Sequence, residues 1–148
     1  MYSYALALLG VSEEAEDAVQ DVFVRVCTSG RVPDNPRHYL LRSVRNEAFS
    51  RLRKRRLRFW RHAEFSGEAR LFERPQGRRD EELEEIEAAL RGLPLEQREV
   101  VLLKTYEGLT FEEIGRLTGV NPNTAASRYR YGIEKLRETL RAKEQADD

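Results

Sequence analysis

The segment from residue 42 to residue 56 combines basic and aromatic side chains at intervals that place them on one side of a helix. The set comprises Arg42, Arg45, Asn46, Phe49, Arg53 and Arg56, with Lys54 beside it. Arginines neutralise phosphates, and a ring exposed among them can stack on an unpaired base, which stabilises by roughly 1–3 kcal/mol per base. The pattern favours nucleic-acid binding. Two alternatives stay open: a solvated basic helix, and a helix on a membrane surface, because the basic run ends in Phe59 and Trp60.

A second group of side chains carries the opposite charge. Its members follow one another at helical intervals: Asp17, Gln20, Asp21 and Val24. An exposed valine is thereby placed beside carboxylates. The opposite side of the same helix is predicted to be a buried apolar stripe, made of Ala15, Ala18, Val19, Val22, Phe23 and Val26. Because charged runs are most often solvated, a docking surface for another protein and a plain solvated face are equally supported by this pattern.

The C-terminal third of the chain contains two helix starts and one tight turn. Thr110 and Glu113 form a predicted capping box, in which the hydroxyl and the carboxylate each bond an open amide at the helix start. Gly119 supplies the left-handed conformation that ends this first helix. Asn121 is a good N-cap and Pro122 suits the first position of a second helix. The spacing therefore predicts a helix-turn-helix.

The second of these helices has two distinct faces. One face is apolar and comprises Ala125, Tyr129, Ile133, Leu136 and Leu140, whereas the outward face carries Asn123, Ser127, Arg128, Tyr131 and Glu134. Arginine can bond guanine bidentately in the major groove, and asparagine, serine and tyrosine can reach bases or phosphates. The pattern favours DNA binding, and the alternative is an ordinary amphipathic hairpin with a solvated polar face.

The elements that position these side chains are predicted to be helices throughout. Nine glycines, five prolines and few β-branched alternations predict an all-α protein. Ser12 is the predicted N-cap of the acidic helix, and turn residues predict a loop from Thr28 to Pro36. We expect two small helical domains joined by a linker, with the helix-turn-helix in the C-terminal one. The expected ranges are 1–61 for the first domain, 62–80 for the linker and 81–148 for the second domain with its polar tail.

The net charge of zero conceals a strong segregation of charge along the chain. Residues 1–29 contain one basic and five acidic side chains, whereas residues 30–62 contain eleven basic and two acidic ones. The basic segment is expected to attract phosphate or an anionic surface, and the acidic segment to meet a basic protein.

Several classes of function are excluded by what the chain lacks. Cys27 is the only cysteine, so it cannot form an intramolecular disulfide. His38 and His62 have no Cys, Asp or Ser partners at catalytic or metal spacing, so no enzyme, metal site or cofactor is predicted. No apolar run approaches the roughly 20 residues that span a bilayer, and no signal peptide is recognisable. We therefore expect a cytoplasmic protein without membrane insertion.

Three segments, taken in order, resemble a bacterial RNA polymerase sigma factor of the extracytoplasmic-function type. The polymerase-binding helix of sigma region 2 resembles AEDAVQDVFVRV, and its promoter-melting and minus-ten helix resembles YLLRSVRNEAFSRLRKRR. Region 4 resembles LPLEQREVVLLKTYEGLTFEEIGRLTGVNPNTAASRYR. The order and separation of the segments also match the family, and the resemblance covers the whole chain.

The resemblance implies a role for each group of side chains. Asp17, Gln20, Asp21 and Val24 would dock on the β′ clamp helices of core polymerase, and the β flap would be a further contact. The basic stripe would hold the separated non-template strand, and the loop at 29–35 would capture an extruded base. The minus-thirty-five element would meet Asn123, Thr124, Ser127, Arg128, Arg130 and Tyr131. An anti-sigma factor is the further implied partner.

The chain also departs from the family pattern. Its first region 2 helix looks truncated, and Ser50 stands where aspartate is frequent. Ala126 replaces a common basic residue, and Tyr131, Gly132 and Ile133 replace an Arg-Ala-Arg run. Two alternatives therefore accompany the sigma factor prediction: a helix-turn-helix regulator that binds duplex DNA without polymerase, and a sigma mimic that titrates an anti-sigma factor.

Overall fold

The computed structural model describes residues 1–58, 71–72 and 80–148, and within these ranges the chain forms seven α-helices and no strand. The helices are α1 (Tyr2–Leu9), α2 (Ser12–Ser29), α3 (Pro36–Arg58), α4 (Asp80–Arg91), α5 (Leu95–Thr105), α6 (Phe111–Thr118) and α7 (Pro122–Asp147). The all-α prediction is confirmed. The chain divides into two compact units, Met1–Leu71 and Phe72–Asp148. Most of the predicted linker, 62–80, lies outside the described residues. No helix in the described ranges is both long enough and apolar enough to cross a membrane.

The first unit is built around α1, which packs against both α2 and α3. Every residue from Ser3 to Leu9 is buried, and Gly10 ends the helix with a positive φ of 76°. The neighbouring helices contribute three small or branched side chains each to this core: Ala15, Ala18 and Val22 from α2, and Leu41, Val44 and Ala48 from α3. A short apolar helix thus supplies most of the buried surface against which the two longer helices are aligned.

Three predictions for α2 are wrong in detail. Val11 rather than Ser12 occupies the N-cap, and it makes no side-chain cap bond. The helix runs to Ser29 and ends at Gly30, so the loop begins two residues later than predicted. Phe23 is 44% exposed instead of buried. In the part of the chain that the structure describes, α1 and α3 are the helices that pack extensively on α2, and the predicted apolar stripe is wider than the strip that two neighbouring helices cover.

The second unit contains α4 to α7, with its core between α5 and the helices around it. The buried side chains include Leu90, Leu93, Val100, Val101, Leu102, Leu103, Ile114, Leu117 and Ala125. Phe72, within the predicted linker, packs on this unit: its amide donates to Glu87 Oε1 at 3.2 Å, and its ring lies 5.0 Å from that of Tyr106.

Arg98 of α5 is a buried charge that the sequence pattern did not predict. Its guanidinium donates to the carbonyls of Leu90 at 3.1 Å, Arg91 at 3.3 Å and Leu93 at 2.9 Å. The first two carbonyls lie in the last turn of α4, where backbone acceptors lack helical partners, and that of Leu93 lies just beyond the helix. Burial, with a smaller contribution from Arg91, lowers the pKa of Arg98 to about 10. Arg98 therefore caps α4 from the neighbouring helix and fixes the α4–α5 corner.

Helix packing explains why glycine stands at position 132, which is one of the departures from the family pattern. A Cβ atom on this residue would lie 2.7 Å from Val101 Cγ2, closer than atoms can pack. The glycine is buried where α7 packs on α5, its most extensive helix contact. A side chain at position 132 would therefore push α7 away from α5.

Candidate nucleic-acid and protein interfaces

The helix-turn-helix begins with the predicted cap on α6. The Thr110 hydroxyl accepts from the Glu113 amide at 3.1 Å and donates to Glu113 Oε1 at 3.0 Å. The carboxylate thus accepts from the hydroxyl and not, as the capping-box pattern predicts, from the Thr110 amide. On the next helix, Asn121 Oδ1 accepts from the Asn123 amide at 2.8 Å, and Pro122 is the first helical residue. The predicted helix-turn-helix is confirmed.

The turn between α6 and α7 is tight because of Gly115 and Gly119. Gly119 has a φ of 75°, and the amides of Gly119 and Val120 both donate to the Gly115 carbonyl, at 2.9 and 3.0 Å. A Cβ atom on Gly115 would lie 2.7 Å from the Val120 carbonyl oxygen and 3.3 Å from the nitrogen of Pro122. The turn backbone, rather than the body of the second helix, is what approaches Gly115.

The outward face of α7 brings together five of the six predicted DNA-binding residues. We call Asn123, Thr124, Ser127, Arg130 and Tyr131 the recognition surface; all are exposed except Ser127, which is half-buried. The Arg130 guanidinium lies 5.4 Å from the centre of the Tyr131 ring, within the range of a cation–π contact. Arginine, amide and hydroxyl groups on one exposed helix face can bond base edges and phosphates.

Arg128 lies at the edge of the recognition surface, beside α5. Its side chain is 24% exposed, and its Nη2 is 3.5 Å from Glu96 Oε2. The prediction that Arg128 points away from the packed face is therefore only partly right. The helical period distinguishes outward residues of α7 from inward ones. It does not predict that Arg128, at the border between the two faces, pairs with an acid on another helix.

The inward face of α7 is anchored by aromatic contacts to α6. Tyr129 is half-buried and its ring meets that of Phe111 edge to face at 5.6 Å. Lys104 Nζ lies 4.7 Å from the centre of the Phe111 ring. Ala125 is fully buried below the turn. These contacts fix the rotation of α7 about its axis, and that rotation decides which side chains form the recognition surface.

The predicted basic stripe is present on the outward side of α3. Arg42, Asn46, Arg53, Lys54 and Arg56 are exposed, whereas Arg45 and Phe49 are half-buried. The Arg45 guanidinium stacks on the Phe49 ring at 4.4 Å from its centre. Lys54 follows Arg53 by one residue and so lies at the border of the stripe. The structure thus brings all seven predicted residues to one side of the first unit, with the ring covered on one face by arginine.

A cleft of about 290 Å³ lies beside this stripe, between α2 and α3. Because one water molecule needs about 10–15 Å³ of such space, the cleft is large enough to admit a group far larger than water. Val22 and Val26 give it an apolar wall, Tyr39 an aromatic ring, and Arg25, Asn46 and Glu47 polar groups. The sequence prediction assigned base capture to the loop at 29–35, whereas the lining of this cleft comes from the two helices.

Four charged side chains form a continuous chain of ion pairs between α2 and α3. Arg25 Nη2 contacts Glu47 Oε2 at 2.8 Å, Arg51 Nε contacts Glu47 Oε1 at 3.0 Å, and Arg51 Nη2 contacts Asp21 Oδ2 at 2.6 Å. We call this set the ion-pair chain. Arg55 makes a separate link, since it binds the Glu14 carboxylate and donates to the Leu9 carbonyl at 3.1 Å.

Sequence reasoning left Arg51 and Arg55 out of the basic stripe but assigned them no role, because it did not consider which helix the other side of α3 packs against. At 100° per residue, Arg51 lies about 160° from Arg53, on the side of α3 that faces α2. Helical phase, together with the acids of α2, was the signal that could have predicted their ion pairs.

The outward face of α2 presents Asp17, Gln20 and Val24 to solvent, as predicted. Phe23 joins them, so an aromatic ring stands beside a valine that is 60% exposed. We call these four residues the docking surface. Asp21, the fourth predicted docking residue, is also exposed, but it lies towards α3 and pairs with Arg51.

Comparison with known families places both units in one class of protein. Residues 1–58 match the family Sigma-70 region 2, and residues 83–136 match Sigma-70, region 4. The chain is 31% identical to the sigma factor EcfG of Rhodopseudomonas palustris, over 90% of this chain and 75% of EcfG. The chain belongs to the extracytoplasmic-function sigma factors.

Two further relatives agree with this assignment. The sigma factor SigE of Mycolicibacterium smegmatis is 34% identical over 95% of this chain, although the chain spans only 57% of the length of SigE. The sigma factor RpoE of Bartonella quintana, solved in complex with the anti-sigma factor NepR, superposes with a TM-score of 0.79 at 26% identity. That match covers 95% of this chain and 89% of RpoE.

Proposed function

We propose that this chain binds core RNA polymerase and directs it to promoters, with its first unit at the minus-ten element and its second at the minus-thirty-five element. One observation carries the proposal: a basic, aromatic helix beside a base-sized cleft is followed in the same chain by a helix-turn-helix, in the order of sigma regions 2 and 4. The protein acts by binding and performs no covalent chemistry, and it works in the cytoplasm, where its polymerase partner is.

The docking surface is the proposed contact with the β′ clamp helices. Phe23 and Val24 supply apolar area, and Asp17 and Gln20 surround it with polar groups. An aromatic anchor inside a polar rim is the usual composition of a protein interface. The carboxylates favour a partner with basic side chains, and they would repel DNA phosphates. Asp21 belongs to the proposed contact at its α3 edge.

The basic stripe and the cleft are proposed to hold the non-template strand of the melted minus-ten element. Arg42, Arg53 and Arg56 neutralise phosphates along α3, and the half-buried Phe49 ring, stacked with Arg45, is the proposed contact for a base. One base, unstacked from its neighbours, enters the cleft between α2 and α3 and stacks on Tyr39. Asn46 belongs to both the stripe and the cleft, so it joins strand binding to base capture.

The recognition surface is proposed to enter the major groove of the minus-thirty-five element. The second helix of a helix-turn-helix enters that groove with its N-terminal residues. Asn123, Thr124 and Ser127 lie in its first two turns, and Arg130 and Tyr131 follow. Arg128, the sixth predicted residue, stands at the border where the groove wall carries phosphates. The β flap is the proposed polymerase contact of this unit.

An anti-sigma factor is the further proposed partner. The relative RpoE was solved with one, and the docking surface here has the exposed apolar area that a protein inhibitor of polymerase binding could cover. Occlusion of that surface would block promoter use without altering the DNA-binding helices.

In vitro transcription with core polymerase and a randomised promoter library tests the proposal. Recovered sequences should share two elements, and omission of the protein should abolish their selection. Co-purification with core polymerase is the second measurement. Promoter-independent duplex binding without co-purification would identify a polymerase-independent regulator, and anti-sigma binding without any transcription would identify a mimic; either result would reject the proposal.

A further inference from the structure

Phe72 belongs to the segment predicted as a linker, yet two contacts hold it on the second unit. Its amide donates to Glu87 Oε1 at 3.2 Å, and its ring lies 5.0 Å from the ring of Tyr106, tilted by 49°. Glu87 belongs to α4 and Tyr106 follows α5 directly, so the two contacts join Phe72 to different parts of the unit. We call this pair of contacts the linker anchor.

The partners of Phe72 are suited to hold it in place. Glu87 is 2% exposed, and its Oε2 lies 3.8 Å from Arg91 Nη2, so an ion pair within α4 positions the carboxylate. A hydrogen bond to a buried carboxylate is strong because water competes poorly for it. Tilted aromatic rings at this separation also attract each other. The linker anchor therefore combines a shielded hydrogen bond with an apolar contact.

The place of the anchor in the sequence shortens the chain that joins the two units, which we call the tether. The sequence separation is 22 positions from Arg58, where α3 ends, to Asp80, where α4 begins, but only 14 positions from Arg58 to Phe72. A chain in any conformation spans at most about 3.3–3.6 Å per residue. The tether can therefore bridge at most about 75 Å to Asp80, but only about 48 Å to Phe72.

Release of the anchor would lengthen this reach by a length that matters on DNA. The chain from Phe72 to Asp80 spans up to about 27 Å, and Glu87 lies about 10 Å along α4 from Asp80. Even after those 10 Å are subtracted, the released tether reaches about 17 Å further, which is the length of about five base pairs.

Reach is important for a protein whose two units bind separate promoter elements. Elements at minus ten and minus thirty-five lie about 25 base pairs apart, or about 85 Å of duplex. The anchored tether covers at most about 48 Å, so the remaining distance of about 37 Å must be covered by the two units, since a small domain is about 30 Å across. These figures are upper limits, so the anchored protein has little slack for a longer spacer.

We propose that Phe72 is a specificity-determining residue for the length of the promoter spacer, because it anchors the linker on the second unit and so limits the distance between the two bound elements. This inference rests on the proposed function. It adds the distance between the elements to the recognition of each element. Phe72 lies outside the recognition surface and the basic stripe, so the anchor can be removed without removing a proposed DNA contact.

The test is in vitro transcription by core polymerase with the full-length protein, on the promoter recovered from the library and on copies whose spacer is longer by one to five base pairs. Phe72→Ala removes the ring contact. Its use of the longer spacers, relative to the recovered one, should rise about tenfold over that of wild type, because a second binding event is lost when a tether cannot reach. Each spacer changes the helical phase equally for both proteins, so their ratio isolates reach.

Three further variants assign the effect to tether length. Tyr106→Ala removes the other ring and should give the same spacer profile as Phe72→Ala, whereas Phe72→Tyr keeps the ring and should behave like wild type. Deletion of residues 66–70 from Phe72→Ala removes one acidic and one basic side chain, so net charge is unchanged. This deletion shortens the tether by about 17 Å and should restore the wild-type profile.

An insertion gives a measurement that does not depend on the folding of a Phe72 variant. Five glycine and serine residues placed between Gly67 and Glu68 lengthen the tether and leave the anchor intact, so they should broaden the spacer profile as Phe72→Ala does. Thermal unfolding of each variant reports any loss of stability.

Three results would overturn the inference. They are a wild-type spacer profile for Phe72→Ala, a wild-type profile for the insertion, and a broadened profile that the deletion does not restore. Failure of the proposed function has a different signature, because the wild-type protein would then start transcription from no promoter, whatever its spacer.

Discussion

At the scale of single residues, the arginines of α3 divide into two populations with different duties. Arg53 and Arg56 project outward and are exposed, whereas Arg51 and Arg55 turn towards the acids of α2. Composition alone suggests one uniform basic patch. In the fold, part of this positive charge is paired with acidic side chains of the first unit. The positive field available to DNA is therefore narrower and more directional than the residue count implies.

We expect Arg53→Ala and Arg55→Ala to separate these duties. Arg53→Ala should lower affinity for single-stranded minus-ten DNA and flatten the salt slope by roughly 0.7, because one phosphate contact is lost. Arg55→Ala should leave the slope nearly unchanged but destabilise the first unit by roughly 1–3 kcal/mol, since Glu14 and the Leu9 carbonyl lose their partner. Salt titrations and urea unfolding of the two variants measure both effects. Equal slopes for wild type and Arg53→Ala would mean that Arg53 is merely solvated.

A second residue-scale prediction concerns adjacent residues of α7. Arg128→Ala should leave stability nearly intact, because its ion pair with Glu96 is long and Glu96 is exposed. If Arg128 contacts a base edge, the variant should lose roughly 1–3 kcal/mol of minus-thirty-five binding and relax preference at one position. If it contacts phosphate, binding should weaken uniformly across sequences.

Tyr129→Ala is the matched control for Arg128. Its ring packs on Phe111, so the variant should unfold more easily, by about 2 kcal/mol for a half-buried aromatic. A binding-site selection on full-length protein, with unfolding curves for both variants, makes the comparison. Identical sequence preferences for wild type and Arg128→Ala would remove Arg128 from base recognition.

At the scale of helices, local chemistry predicted the caps of the helix-turn-helix, but it misplaced both ends of α2, and periodicity predicted packing less well. The Thr110 and Asn121 caps and the Gly119 stop depend on residues a few positions apart, so the sequence contains all the information they need. The exposure of Phe23 depends on how many helices cover α2. The capping of α4 by Arg98 depends on a helix corner. Neither can be deduced from periodicity, because both are set by neighbours distant in sequence.

Gly132→Ala tests the packing of α7 on α5. Helix propensity favours alanine by up to about 1 kcal/mol, but the new methyl would collide with a β-branched side chain whose rotamer is stiff. Overpacking of this kind costs roughly 1–3 kcal/mol, so we expect a net loss of about 1 kcal/mol. Thermal unfolding measures it. In a Val101→Ala background the same substitution should become neutral or stabilising; destabilisation there as well would show that the Val101 contact is not the cause.

At the scale of the whole molecule, the sequence predicted which surfaces exist and in what order, but not how charge is shared within them. Each of the three segments that resemble sigma regions can be recognised from its own local pattern, and their order is read directly from the sequence. The pairing of Asp21 with Arg51 joins two helices across thirty positions, and that of Arg128 with Glu96 joins α7 to α5. These pairings follow from the fold, and they change which residue is the better probe of polymerase docking.

Docking is therefore best probed at Asp17 rather than at Asp21. Asp17 is exposed on the docking surface and outside the ion-pair chain, so Asp17→Lys reverses a charge without disturbing the link to α3. We expect at least tenfold weaker binding of core polymerase, because a like charge then faces the basic partner. Helical content should not change, and affinity for single-stranded DNA should rise slightly through the added positive charge.

Fluorescence anisotropy with labelled protein and core polymerase measures the loss of polymerase affinity. Glu138→Lys, an exposed site on α7 with the same charge reversal, is the control for net charge and should weaken binding of core polymerase much less than Asp17→Lys does. Unchanged core affinity in Asp17→Lys would remove this face of α2 from the polymerase contact and leave its carboxylates as solvated groups.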